Sequence, residues 1–178
     1  ERVEKLILVD AVCNDEALNH PLLKLAALPV IGELATPFIV DSKAFLKVRM
    51  RGTLAPANHH LITEDRIESV LRPLKAADAH YSLLETSRNW DACRIQDDAS
   101  LINHPTLIIW GENDTVIPIH NGETLYSSIV HSRFVVLKNC GHVPQEEKPE
   151  LFAEIVTEFC RDKKSRVENE SEDILENR

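Results

Sequence analysis

Pro105-Thr-Leu-Ile-Ile-Trp-Gly-Glu-Asn-Asp-Thr-Val-Ile-Pro118 is the stretch on which the reading of this chain turns. Leu107, Ile108, Ile109 and Trp110 form a short, unbroken apolar run with β-branched members, closed by Gly111. Such a run suits a strand buried on both faces, as in a parallel sheet covered by helices. Glu112, Asn113 and Asp114 follow at once, which puts carboxylates on the loop past the strand's carboxyl end. In open α/β sheets that edge gathers ligands and reactive groups. Arg133-Phe-Val-Val-Leu137 reads as a second buried strand, and it opens onto Asn139-Cys-Gly-His142. Two strand ends in chain order therefore deliver an acid and then a histidine.

Working outward, Pro118 to Val130 reads as a helix with Leu125, Ile129 and Val130 on its apolar stripe, and His120 near its start is read as a surface residue. Lys148 to Arg161 is the clearest helix. Leu151, Phe152, Ile155, Val156, Phe159 and Cys160 recur at spacings of three and four, and Pro149 sits in the first turn, where its missing N–H does no harm. At the other end, Glu4 to Ala11 reads as a first strand through Leu6-Ile-Leu-Val9. The chain changes character from Val12 to about Asn103. Pro21, Pro29, Pro37, Pro56 and Pro73 punctuate it, and helical spacings replace strand-like runs. Leu22, Leu23, Leu25, Ala26 and Leu28 make one cluster; Ile39, Phe45, Leu46 and Met50 lie near another face. Thr63 is the expected N-cap of a helix that carries Ile67, Val70, Leu71 and Leu74. Helix is expected to continue in pieces to Trp90.

Taken together, strand–Gly-x-x-Asp, helix, strand–Gly-His-x-Pro-x-x-Glu-x-Pro and a closing helix resemble the carboxyl-terminal half of an α/β-hydrolase. The resemblance covers Arg2 to about Arg161, more weakly through the middle. It implies an α/β fold in which three parallel strands form part of the hydrolase sheet, residues 1–12 and 104–161 make the partial core, and residues 13–103 form a helical cap. That family's triad runs nucleophile, acid, histidine along the chain. The match places Asp114 at the acid position and His142 at the histidine position. Some cap-bearing members take their acid from the strand end that Asp10 occupies here. Because Asp114 fills the commoner position, Asp10 is read as orienting the loop into the next segment. A cap of this kind closes over the catalytic edge and excludes water. His59, His60, Arg88 and Trp90 are the cavity candidates, each against a plainer reading: an exposed His pair, a surface ion-pair partner, a core Trp.

One part of the family pattern is missing. The nucleophile lies in a Gly-x-Ser-x-Gly elbow upstream of the acid, and none of the five glycines here is followed two places on by Ser. The expectation is that the nucleophile and the oxyanion donors belong to an amino-terminal half of the parent enzyme. With a Ser nucleophile the reaction is that of an esterase, thioesterase, lipase-like enzyme or carbon–carbon bond hydrolase on a small organic substrate. With an Asp nucleophile it is an epoxide hydrolase or haloalkane dehalogenase. A truncated binding module without catalysis is the non-enzymatic alternative. Within these residues Cys140 and Ser82 are the nucleophiles to weigh, and Cys140 is read as a packing residue of the loop.

Composition agrees with a globular enzyme. The 178 residues suffice for one domain with a real core, and 43% hydrophobic and 28% charged residues are ordinary. A formal charge of −9 excludes nucleic acid and anionic membrane as favoured partners, and no apolar run is long enough to span a bilayer. Cys13, Cys93, Cys140 and Cys160 are scattered, which points to a reducing compartment; with no secretory signal visible, a cytoplasmic location is expected. No metal-ligand spacing or cofactor motif is present, so neither metal nor cofactor is expected. Residues 162–178 turn basic and then acidic, and are read as a disordered tail.

Overall fold

The structure, a computed structural model, describes residues 3–14, 28, 30–76, 78–89 and 93–162. The side chains of Ile39, Cys93 and Arg94 fall outside that set, as do Leu22, Leu23, Leu25, Ala26, Trp90 and the tail from 163 to 178.

Three strands, β1 (Leu6–Val9), β2 (Thr106–Gly111) and β3 (Ser132–Leu137), form one parallel sheet in the order β1-β2-β3. Leu6 stands opposite Thr106, and Thr106 opposite Ser132, so the three carboxyl ends lie together at one edge. The central strand is buried along its whole length. Its side chains alternate between two apolar layers, as the two-residue period of a strand requires. Ile108 and Trp110 pack with Cys13, Ala99, Ile117, Leu125 and Ile129; Leu107 and Ile109 pack with Leu137, Cys140, Ile155 and Phe159. Fully buried Ile and Leu side chains such as Leu107, Ile108 and Ile109 each contribute about 1.5–3 kcal/mol relative to exposure. The outer strands are less buried, which for β3 departs from the expectation of a buried strand. β1 is half-buried throughout, and β3 leaves Val136 39% exposed, because each is flanked by a neighbour on one side only in this sheet.

Between β1 and β2 the described residues are helical and contribute no strand: α1 (Ile31–Val40), α2 (Lys43–Thr53), a 3₁₀ turn at Pro56–Leu61, α3 (Glu64–Leu74), α4 (Ala79–Arg88), α5 (Cys93–Asp98) and a 3₁₀ turn at Ala99–Leu101. Thr63 caps α3 as its sequence position predicts, its hydroxyl accepting from the Arg66 N–H at 3.2 Å. Ile67 and Leu71, one turn apart, are the buried residues of α3. Arg88 joins α4 to α1 through Glu33 at 2.7 Å, the surface pairing anticipated as its plainer role.

After β2 come α6 (His120–Ser128), then β3, α7 (Pro144–Glu147) and α8 (Pro149–Arg161). Leu125 of α6 belongs to the Trp110 layer, while Ile155 and Phe159 of α8 belong to the opposite one, so helices cover both faces. Lys5, just before β1, donates to the Phe159 and Asp162 carbonyls at the end of α8, at 2.5 and 2.6 Å. A cation on the last carbonyls satisfies acceptors that the helix itself leaves open.

Candidate active site

The sheet's carboxyl edge is assembled from two loops that touch back to back. The Glu112 N–H donates to the Leu137 carbonyl at 3.0 Å, and the Asn113 N–H to the Cys140 carbonyl at 2.8 Å. Glycine allows this approach. A Cβ on Gly111 would lie 1.9 Å from the Gly141 carbonyl oxygen, and one on Gly141 would lie 2.4 Å from the Thr53 carbonyl oxygen. Both motif glycines are thus required by backbone crowding.

Asp114 is fixed by its own turn. Its Oδ1 accepts from the Val116 and Ile117 N–H groups at 2.7 and 2.9 Å, the local bonding that favours Asp in turns. The Trp110 indole N–H holds the same turn from the strand side, donating to the Ile117 carbonyl at 2.9 Å. The Oδ2 that remains is bonded to His142 Nδ1 at 2.8 Å. The Asp114 side chain has no solvent exposure, whereas that of His142 is 27% exposed. His142 Nε2 has no hydrogen-bond partner among the described residues. One ring nitrogen is therefore committed to a buried carboxylate, and the other is open.

Burial pulls the His142 imidazole down, but the hydrogen bond and charge of Asp114, with a contribution from Asp10, outweigh it and leave the imidazole above its ordinary 6.5. Asp10 ends β1 with a left-handed backbone (φ 40°) and is buried. Its Oδ1 accepts from the Gly111 N–H at 2.8 Å. That bond ties the β1 end to the β2 end, the loop-orienting role read from sequence. Burial, partly countered by that bond and reinforced by Asp114, pushes the Asp10 carboxyl up to about 7. Asp10, Asp114 and His142 each place one polar atom within 4.8 Å of the others. His142 Nδ1 is already engaged by Asp114, so the group is a hydrogen-bonded Asp114–His142 pair with Asp10 beside it, and no metal is assigned to it.

Glu147 is the residue whose importance sequence reasoning missed, although it stands inside the Gly-His-x-Pro-x-x-Glu-x-Pro motif. It is buried, and its two oxygens accept from the Gly141 N–H (2.8 Å), the Ala55 N–H (2.9 Å) and the Asn58 side-chain amide (2.7 Å). The same stretch makes further bonds to the loops. The His142 N–H donates to the Thr53 carbonyl at 2.8 Å, Asn58 donates to the Asn139 carbonyl at 3.0 Å, and the Thr115 hydroxyl donates to the Gly52 carbonyl at 2.6 Å. Arg66 of α3 also pairs with Glu146. Residues 52–58 thus clamp the acid loop and the histidine loop at once.

The remaining candidates stand apart from this group. His59 and His60 bond the Arg51 and Ala57 carbonyls within their own segment. Ser82 is exposed on α4, and His120 is exposed at the start of α6. Cys140 is completely buried, and burial, with Glu147 and Asp10 adding, pushes its thiol up to about 12. A thiol so placed is inert as a nucleophile. Trp90 lies outside the described residues.

The family description "alpha/beta hydrolase fold" matches residues 52–149, more than half of the chain. The chain belongs to the α/β-hydrolase fold family. A 2-hydroxy-6-oxononadienedioate/2-hydroxy-6-oxononatrienedioate hydrolase of Klebsiella pneumoniae is 38% identical over 170 residues, covering 89% of this chain and 54% of that enzyme. Monoacylglycerol lipase ABHD6 of Rattus norvegicus is 37% identical over 65 residues, 36% of this chain and 19% of the lipase. Among solved structures, a mutant of the meta-cleavage product hydrolase CumD superposes with a TM-score of 0.69 at 21% identity, covering 90% of this chain and 56% of that one. At that identity the likeness carries the fold. The chain spans about half the length, or less, of the relatives it matches. Among the described residues no helix is long and apolar enough to cross a membrane.

Proposed function

We propose that this α/β-hydrolase chain supplies the acid and the histidine of a nucleophile–His–Asp triad acting on a small organic, ester-like or related substrate. The reading rests on the 2.8 Å bond between Asp114 and His142, delivered by neighbouring parallel strand ends in the family's order. In this mechanism the open Nε2 of His142 accepts the nucleophile's proton and then returns it to the leaving group. Asp114 holds the ring in the tautomer that leaves Nε2 free and stabilises the imidazolium that forms. The nucleophile and the oxyanion donors come from chain outside these residues, since the Gly-x-Ser-x-Gly elbow is absent from the sequence. The helical stretch 13–103 acts as the cap over the substrate, with residues 52–58 as its footing on the catalytic loops. The Klebsiella relative's name, a hydrolase of an oxo-dienedioate, makes a compound of that kind the first substrate to try. A soluble cytoplasmic setting fits four cysteines scattered along the chain, Cys13, Cys93, Cys140 and Cys160, with no Cys-x-x-Cys pair.

The test compares the 178-residue chain with the full-length gene product on an activated ester and on an oxo-dienedioate, each with Asp114→Asn and His142→Ala versions. Turnover by the full-length enzyme that collapses in both variants supports the reading. Unchanged turnover in either variant overturns it.

A further inference from the structure

The site contains a carboxyl that the acid–histidine reading does not use. Asp10 is 4% exposed, and its Oδ1 is satisfied by the Gly111 N–H, but its Oδ2 is buried with no hydrogen-bond partner among the described residues. A buried carboxylate oxygen that no donor of the chain reaches is costly, and a proton on that oxygen lowers the cost. Nor can Asp10 turn away. Its left-handed backbone and the Gly111 bond fix the carboxyl at the sheet edge, inside the 4.8 Å cluster with Asp114 and His142.

We propose that Asp10 is a positioning residue of this site: its buried Oδ2 takes up and releases a proton, and the loss of that proton sets how tightly His142 holds its own. The proposal deepens the acid–histidine reading and rests on it. Asp114 is a fully engaged carboxylate, with two backbone N–H groups on Oδ1 and His142 on Oδ2. One anion beside the imidazole orients it. A second would hold the imidazolium and disable it as a base. A neutral Asp10 keeps the pair at a single negative charge, so His142 can release its proton near neutrality. The charged and titratable groups acting on Asp10 are Asp114 from the β2 loop, His142 from the β3 loop and Glu147 from α7. Cys140 feels Asp10 as well, and Arg49 of α2 opposes protonation of His142. Two of the three groups acting on Asp10 are acids, so its surroundings disfavour a further negative charge, and the carboxyl pushed up to about 7 agrees with that. Asp10 and His142 therefore titrate as a coupled pair, with apparent values that belong to both.

The experiment is an NMR titration of the protein without substrate, following the His142 ring and the Asp10 side-chain carboxyl carbon, in the wild type and in Asp10→Asn. Asn keeps an oxygen for the Gly111 N–H but cannot ionise, so a purely structural role leaves the His142 curve where it was. The expected result is an Asp10 midpoint near 7 in the wild type and a His142 curve with two steps. In Asp10→Asn a single His142 step appears, lower than the wild-type curve, because the charge that Asp10 contributes is gone. An Asp10 midpoint near its ordinary 3.8 overturns the proposal, as does a His142 curve identical in the two proteins. If Asp10→Asn does not fold, the wild-type carboxyl midpoint and the shape of its His142 curve decide alone. Because no substrate is used, failure here is separate from failure of the hydrolase reading, which the Asp114→Asn and His142→Ala rates decide.

Discussion

Gly111 and Gly141 meet backbone to backbone: a Cβ added to Gly111 would stand 1.9 Å from the carbonyl oxygen of Gly141. The obstruction is main chain, which cannot swing aside as a side chain can. Gly111→Ala is therefore expected to cost more than about 3 kcal/mol or to abolish folding, since overpacking against backbone lies beyond the usual range for extra methyl groups. Gly52→Ala is the control. It lies in α2 with nothing within 4 Å of the new Cβ, and is expected to stabilise by about 0.5–1 kcal/mol. Urea midpoints of the two variants should move in opposite directions.

Glu147 holds three donors from two separate parts of the chain. Glu147→Ala leaves the Gly141 and Ala55 N–H groups and the Asn58 amide without their acceptor. The expected loss exceeds about 3 kcal/mol, since each buried donor left unsatisfied costs about 1–3 kcal/mol. Glu147→Gln keeps one acceptor oxygen and should lose about 1–3 kcal/mol. Chemical denaturation of both variants checks the order; equal losses would mean that the carboxylate is not the shared acceptor.

Stability should fall as pH rises from about 4 to 8. In the folded chain Asp10 keeps its proton to about 7, while the unfolded chain releases it near 3.8, so the folded state binds the extra proton between those values. The stability it contributes is complete below the unfolded value and lost as pH climbs through the folded one. His142, raised above 6.5, acts in the same direction, its contribution being lost as pH passes its folded value. Urea midpoints at pH 5 and pH 8 should differ in the wild type, and the difference should shrink in Asp10→Asn.

In the full-length enzyme, Asp114→Asn is expected to lower turnover by about 10⁴, because the ring then loses both its tautomer and its counter-charge. The acid limb of the wild-type rate profile should have its midpoint above 6.5, the direction in which Asp114 and Asp10 move His142. A limb at or below the ordinary imidazole value would mean that Asp114 does not act on His142 as the geometry implies.

Cys140 and Cys160 should separate cleanly under alkylation. Cys140 is fully buried and pushed up to about 12, whereas Cys160 lies exposed on α8. Iodoacetamide at pH 8 is expected to modify Cys160 and spare Cys140 in the folded protein, read by peptide mass. Labelling of Cys140 at a similar rate would place the β3 loop open to solvent.

The central strand and the two strand ends were legible because they are local. Leu107 to Trp110 is apolar without interruption, and Gly111 and Gly141 punctuate the turns that carry Asp114 and His142. Thr63 and Pro149 signalled helix starts through chemistry confined to one turn. Other features depend on what lies far along the chain. The half-exposure of β3 follows from its place at the edge of the sheet, which Phe134-Val-Val136 alone does not reveal. Asp10 read as a loop-orienting residue, and its Gly111 bond agrees, but the orphaned Oδ2 depends on a loop a hundred residues away. Glu147 was visible only as a letter in a motif. Its partners Ala55 and Asn58 lie about ninety residues upstream, in a stretch with no motif of its own.

The stretch from Gly52 to Asn58 has a practical consequence for protein engineers. Though it sits in sequence amid the helices between β1 and β2, its bonds run to Thr115, Asn139, His142 and Glu147. A chimera that exchanges everything from residue 13 to 103 would import a foreign hinge together with the new helices, and the loops that carry Asp114 and His142 would lose their common brace. Exchanges that retain 52–58 and swap only the flanking helices, with splice points after Lys47 and before Thr63, should preserve the alignment of those two loops.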